Sequence, residues 1–147
     1  MPELRVTKEF SFEMAHALKN YSGKCENIHG HSYHLAVSVK GPVLVDENAP
    51  KDGMVIDFGD LKRIVQEEIL DVFDHALVMH VADERSQSFG QAGTRMILTP
   101  FQPTCENLLV DFVSRIKAAL QGDVRLVRMK LRETPASFAE WLAEDNC

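Results

Sequence analysis

Apolar residues near the start of the chain recur at every second position: Leu4, Val6, Phe10, Phe12 and Met14 share one parity. Arg5, Thr7, Glu9, Ser11 and Glu13 fill the other, and only Lys8 is out of step. Successive side chains of an extended chain leave opposite faces, so this alternation predicts a half-buried strand over residues 4–16. A second alternation begins near His29 and runs through Tyr33, Leu35, Val37 and Val39, with His34, Ser38 and Lys40 opposite, and stops at Gly41-Pro42. The Gly- and Asn-containing stretch 17–28 joins the two into an antiparallel pair.

The pattern then changes period. A short strand is predicted at residues 54–56. Asp57 follows as the cap of a helix whose apolar positions Leu61, Ile64, Val65, Ile69, Val72 and Phe73 keep the 3.6-residue repeat up to Asp74-His75. Residues 81–93 are polar and Gly-containing and read as a loop. A second helix starts after Pro103-Thr104, carries Leu109, Phe112, Val113, Ile116 and Leu120 on one stripe, and stops at Gly122. Alternation returns from Val124, with Val127, Met129 and Leu131 against Arg128, Lys130 and Arg132, and a last short strand is expected over residues 137–142. This order predicts an α+β fold, with helices on one face of an antiparallel sheet whose free edges invite pairing with further copies of the chain.

With 147 residues the chain is one domain by expectation and buries a core without needing disulfides. Its 16 Lys and Arg against 22 Asp and Glu give a net charge of −6, without the basic run that a phosphate backbone requires. Nucleic-acid binding is therefore not expected. No stretch approaches the roughly 20 apolar residues of a membrane span, and the opening segment lacks a secretion signal's apolar run, so a cytoplasmic location is expected. Three scattered cysteines, Cys25, Cys105 and Cys147, do not form a disulfide framework.

The histidines change the picture most. His29 and His31 flank Gly30, so on a strand they leave the same face, and His16 continues the apolar parity of Phe10, Phe12 and Met14. If the two strands pair antiparallel, the three imidazoles meet at one end of the hairpin. Three neutral imidazoles with an open fourth position describe a catalytic zinc site. His34 has the opposite parity and is excluded as a ligand.

Cys25, four residues before His29, is placed either to close a structural site as a fourth ligand or to stay unligated as a nucleophile or base; spacing leaves both open. Asp74 beside His75 suits a proton relay equally as well as a stabilising helix C-terminus. Glu133 continues the apolar parity of Met129 and Leu131, where a carboxylate calls for a partner such as two parallel N–H donors, unless the strand has already ended there and left it solvated. Glu106, in a helix first turn, fits the helix dipole and has a weaker claim on a ligand.

The segments FSFEMAH (10–16), CENIHGHSY (25–33), GMVIDFGDLK (53–62), FDHALV (73–78), PTCENL (103–108) and LRET (131–134) together resemble the 6-pyruvoyl-tetrahydropterin synthase family. The CxxxHGH spacing resembles its bacterial 6-carboxy branch. The resemblance implies zinc on His16, His29 and His31, Cys25 as catalytic base, Asp74 and His75 as relay, and Glu133 anchoring a pterin ring, with Thr104 and Glu106 as further substrate contacts. It implies the tunnelling fold: a four-stranded antiparallel sheet with two helices, closing into a β-barrel in a homohexamer of two stacked trimers. The implied reaction converts 7,8-dihydroneopterin triphosphate to 6-carboxy-5,6,7,8-tetrahydropterin, a queuosine precursor, releasing acetaldehyde and triphosphate. The alternatives are 6-pyruvoyl-tetrahydropterin formation, a 6-hydroxymethyl-dihydropterin-forming activity in which Glu26 takes part, and a non-catalytic pterin-binding protein with a structural zinc site. The 80–102 region and the ending FAEWLAEDNC depart from the family's pattern.

Overall fold

The computed structural model describes residues 2–147. Strand β1 (Glu3–His16) pairs antiparallel with β2 (His29–Pro42) along its whole length, from Glu3 opposite Pro42 to His16 opposite His29. Helix α1 (Phe58–Val65) begins where the Asp57 carboxylate accepts the Gly59 amide at 2.7 Å. It runs on through a π-helical turn (Gln66–Leu70) into α2 (Asp71–Phe73). Ile69 and Leu70 of this turn are both buried. Strand β3 (Ala76–His80), helix α3 (Arg85–Gln91), strand β4 (Met96–Thr99), helix α4 (Cys105–Ala119) and strands β5 (Arg125–Thr134) and β6 (Ser137–Leu142) complete the order.

The sheet has six strands in the order β4-β3-β1-β2-β5-β6, and it is mixed, not the four-stranded antiparallel sheet expected. β3 runs parallel to β1 and β4 parallel to β3. The expected strand at 54–56 is instead a loop, whose Met54 carbonyl accepts the Leu44 amide at 2.9 Å. The stretch read as a loop at 81–93 contains α3.

The main core lies between one face of the sheet and the pair α1 and α4. Phe12, Met14, Tyr33, Leu35 and Val37 meet Leu61, Ile69, Phe73, Leu108 and Phe112, with Phe112 edge-on to Phe12 and Phe73 at 6.1 and 5.0 Å between ring centres. A smaller cluster of Ala17, Leu77 and Met79 packs with Phe89 and Met96. Leu77 and Met79 alternate with Val78, which belongs to the main core, so the sheet is covered on both faces at this edge. The expectation of helices on a single face therefore holds for α1 and α4 and fails for α3.

One parity also breaks. A register shift between Ser38 and Val39 sets Leu126 opposite Val39 and Arg128 opposite Ser38. The bulge turns Leu126 into the core in place of Val127, which is only half-buried, while Met129 and Leu131 remain inside as expected. No helix among the described residues is long and apolar enough to cross a membrane.

Candidate active site

The hairpin register brings the histidines together. His16 ends β1 and lies opposite His29 at the start of β2, while His31 lies opposite Met14 on the same face. The candidate ligand atoms of His16, His29 and His31 all lie within 4.8 Å of one another, and the Nε2 atoms of His16 and His29 are 3.0 Å apart. Four-coordinate metal–nitrogen bonds of about 2.0–2.1 Å would set ligand nitrogens roughly 3.3 Å apart, so the cluster needs only small adjustments to hold one ion.

The outer nitrogens show which way the rings are protonated. His16 Nδ1 is 2.7 Å from the Pro103 carbonyl and His29 Nδ1 is 2.7 Å from the Asn27 carbonyl. A carbonyl only accepts, so both rings donate from Nδ1 and present a free lone pair at Nε2, the arrangement that orients metal-binding imidazoles. His31 Nε2 is buried with no hydrogen-bond partner, an orphan that a metal bond would satisfy. Burial holds His16 below the ordinary imidazole range against the opposing Pro103 carbonyl, and burial lowers His31 against the pull of Glu133. Both rings stay neutral, as ligation requires. The donor set thus fits a divalent ion of zinc's type.

Glu133 stands at the rim. Its Oε1 lies 3.5 Å from His16 Nε2 and 3.7 Å from His31 Nε2, too far for strong hydrogen bonds, and it accepts a long one of 3.5 Å from the Tyr33 hydroxyl. The register of β5 against β6 shifts between Arg132 and Thr134, so a bulge sets the position of Glu133. It is not solvated as a strand end would be: its side chain is 24% exposed. Burial and the nearby Glu133 charge push the Tyr33 phenol far above its ordinary range, so it remains a donor. Burial likewise pushes the Cys105 thiol up to about 11, and its Sγ faces the Leu131 carbonyl at 3.4 Å, which marks it as a packed, unreactive thiol.

The other candidates are placed less centrally. The half-buried Cys25 has its sulfur outside the imidazole cluster, in an otherwise exposed 3₁₀ turn (Lys24–Glu26) whose Cys25 carbonyl accepts the Leu18 amide at 2.9 Å. This geometry does not make Cys25 a fourth ligand. Asp74 Oδ1 lies 2.9 Å from His75 Nδ1 and also accepts the Glu13 amide at 2.9 Å. His75 is in the left-handed region with φ of 62°, a conformation costly for a residue with a Cβ. Its imidazole is held in place by Asp74 and is otherwise open to solvent. His75 and His31 line the same cavity of about 580 Å³, together with Phe89 and Thr94; Cys25 does not line it. A second cavity of about 540 Å³ is bounded by His31, Glu133 and Thr134. Thr104 caps α4, its Oγ1 accepting the Asn107 amide at 3.1 Å, and Glu106 is exposed in the first turn; neither lines either cavity. His34 points to the opposite face, 3.0 Å from Ser11 Oγ.

Sequence reasoning missed the Pro103 carbonyl that fixes His16 and the Tyr33 hydroxyl beside Glu133. The parity shared by Tyr33 and His31 was a usable signal for the second; the first has none, because backbone acceptors leave no mark in a sequence.

A mixed α+β sheet that gathers three neutral imidazoles and a rim carboxylate defines a candidate metal-dependent enzyme. The sequence profile of the family described as 6-pyruvoyl tetrahydropterin synthase matches residues 5–144, and the chain belongs to that family. It is 38% identical to the 6-carboxy-5,6,7,8-tetrahydropterin synthase of Haemophilus influenzae over 141 residues, covering 93% of this chain and 97% of the relative. It is 31% identical to the dihydroneopterin monophosphate aldolase of Pyrococcus furiosus, covering 88% of this chain and 89% of that one. The structure of the Caenorhabditis elegans 6-pyruvoyl tetrahydropterin synthase is similar, with a TM-score of 0.70 at 26% identity over 97% of this chain and 96% of that one.

Proposed function

We propose that this protein is a zinc-dependent lyase that converts 7,8-dihydroneopterin triphosphate and water to 6-carboxy-5,6,7,8-tetrahydropterin, releasing acetaldehyde and triphosphate. The observation that carries the reading is the convergence of three Nδ1-protonated or unpartnered imidazoles beside the Glu133 carboxylate. The family and the 38% identical Haemophilus relative support it.

His16, His29 and His31 hold the metal. Zinc bound there supplies Lewis acidity toward the hydroxyl oxygens of the substrate side chain. Glu133 accepts two N–H donors from the 2-amino and N3 positions of the pterin, a charge-assisted pair that fixes the ring against the imidazoles. Cys25 takes a proton from the substrate side chain as general base. The Asp74 carboxylate, 2.9 Å from His75 Nδ1, stays ionised while His75 keeps its Nδ1 proton and takes and returns a proton at Nε2, and it stabilises the imidazolium so formed. Homohexameric assembly through the sheet edges, with action in the cytoplasm, completes the reading.

A second reading has its own support. The Pyrococcus aldolase is 31% identical to this chain, and Glu26 stands next to Cys25. A product assay separates the two. Purified, metal-analysed protein turning over dihydroneopterin triphosphate is expected to yield acetaldehyde and 6-carboxytetrahydropterin; 6-hydroxymethyl-dihydropterin would select the aldolase reading, and 6-pyruvoyl-tetrahydropterin the third branch. A folded, metal-free and inactive protein would refute the proposal.

A further inference from the structure

The loop carrying Cys25, residues 17–28, has almost no apolar anchorage. Ala17 is buried, Leu18, Lys19 and Cys25 are half-buried, and the remaining residues of the loop are exposed. A segment with so little buried surface is expected to open locally at small free-energy cost unless polar contacts restrain it. A base that must meet one proton needs such restraint.

Those contacts come from the 80–102 region, the part of the chain that departs from the family's pattern. Asp83 is 5% exposed, and its carboxylate grips Arg85 in a fork: Arg85 Nε to Oδ1 at 3.0 Å and a terminal nitrogen to Oδ2 at 2.7 Å. The Asp83 carboxyl is itself pinned, since Oδ1 also accepts the Arg85 amide at 3.1 Å. The remaining guanidinium donors point away from Asp83 onto the loop. One donates to the Glu26 carbonyl, and another to the Leu18 carbonyl at 3.3 Å. Leu18 is the residue whose amide binds the Cys25 carbonyl. Arg85 therefore holds both strands of the turn that presents Cys25, one at Leu18 and the other at Glu26. A planar guanidinium can do this while forked on Asp83, whereas an ammonium is a point charge.

We propose that Arg85, oriented by Asp83, is a positioning residue for Cys25, fixing the turn from which the thiol acts. The catalytic part of this inference rests on the reading of Cys25 as base. Gln102 also grips the loop, accepting the Lys19 amide at 2.8 Å and donating to the Lys19 carbonyl at 2.7 Å. It adjoins Pro103, however, whose carbonyl binds His16, so its loss would disturb the triad as well. Arg85 makes none of its hydrogen bonds to the triad, but its partner Glu26 adjoins Asn27, whose carbonyl binds His29, so metal content read in the same variant separates an effect on the loop from one on the triad.

The test uses the metal-loaded protein in a Cys147→Ser background, so that Cys25 is the reactive thiol, with Arg85→Ala, Arg85→Lys and Cys25→Ala alongside. Amide hydrogen exchange at Leu18, metal content, and kcat and KM are measured. Hydrogen bonds to a charged donor are strong enough that losing two should raise Leu18 exchange about tenfold or more. In Arg85→Ala, kcat should fall about tenfold or more with metal content and KM unchanged, Cys25 should alkylate faster with iodoacetamide, and Arg85→Lys should recover only part of each effect. Unchanged exchange at Leu18 overturns the clamp whatever the activity. Raised exchange with unchanged kcat overturns its positioning role. Turnover surviving in Cys25→Ala overturns the base assignment and with it the catalytic consequence, while the exchange data still judge the clamp. If Arg85→Ala does not fold, Arg85→Lys, which keeps the charge facing Asp83, is read by the same criteria.

Discussion

Glu133→Gln is a nearly isosteric change that removes one charge and one of two acceptors. Within the protein little depends on that carboxylate. Its approaches to His16, His31 and Tyr33 are 3.5, 3.7 and 3.5 Å, and none is a strong hydrogen bond. The folded state should lose less than about 1 kcal/mol. A bound pterin loses much more. Two hydrogen bonds to a carboxylate, each worth about 1.5–3 kcal/mol, become one neutral bond and one apposition of two donors. A net loss of about 3 kcal/mol corresponds to roughly a hundredfold in affinity. Titration of an unphosphorylated pterin by fluorescence, with zinc content and thermal midpoint measured in parallel, should show that loss with metal retained and the midpoint moved by no more than about 4 °C. Pterin affinity within about threefold of the parent, less than 1 kcal/mol, would refute the anchoring role. Loss of metal would place Glu133 among the ion's ligands instead.

Other expectations follow from the same geometry. Cys25→Ala should abolish turnover while retaining full metal content, since the sulfur lies outside the imidazole cluster; a loss of metal by elemental analysis would contradict this. Chelation should lower the thermal midpoint. At free metal 100 times its Kd, the ion stabilises the fold by about 2.7 kcal/mol, or some 5–10 °C for a chain of this size, and a scan unmoved by chelator would contradict it. In chelator, urea stability should fall as pH drops below about 6.5: unfolded imidazoles take up protons there, while burial keeps His16 and His31 neutral in the fold, so the unfolded state binds more protons. Replacing both with Gln should flatten that part of the profile. Phe112→Ala, which empties a fully buried ring site against Phe12 and Phe73, should cost about 3–5 kcal/mol in urea unfolding.

The long elements were legible because each follows one period over many residues. Fourteen residues of β1 pair in register with fourteen of β2, so the parity of Met14 and Tyr33 sufficed to bring His16 to His29 and His31. Glu133 followed the parity of Met129 and Leu131, while the bulge beside it left no mark in the sequence. Strands β3 and β4 were not legible. Ala76–His80 is covered on both faces, and its near-continuous apolar run carries no alternation, as is usual for buried parallel strands. Helix α3 presents one large apolar residue, Phe89, within RSQSFGQ, too little for a helical stripe. Val127 fell on the wrong face because a bulge shifts parity without any residue that announces it. The φ of His75 and the reach of Arg85 to Leu18, 67 positions away, are products of tertiary contact alone.

The pairing of His16 directly across from His29 makes ion capture a reporter of strand alignment. If β2 slid by a single residue against β1, His29 and His31 would swing to the far side of the sheet while His16 stayed behind, and no ion could bridge them. The ion therefore rewards one alignment out of many, and refolding in its presence should deplete misaligned hairpins that apolar burial alone leaves as competitors.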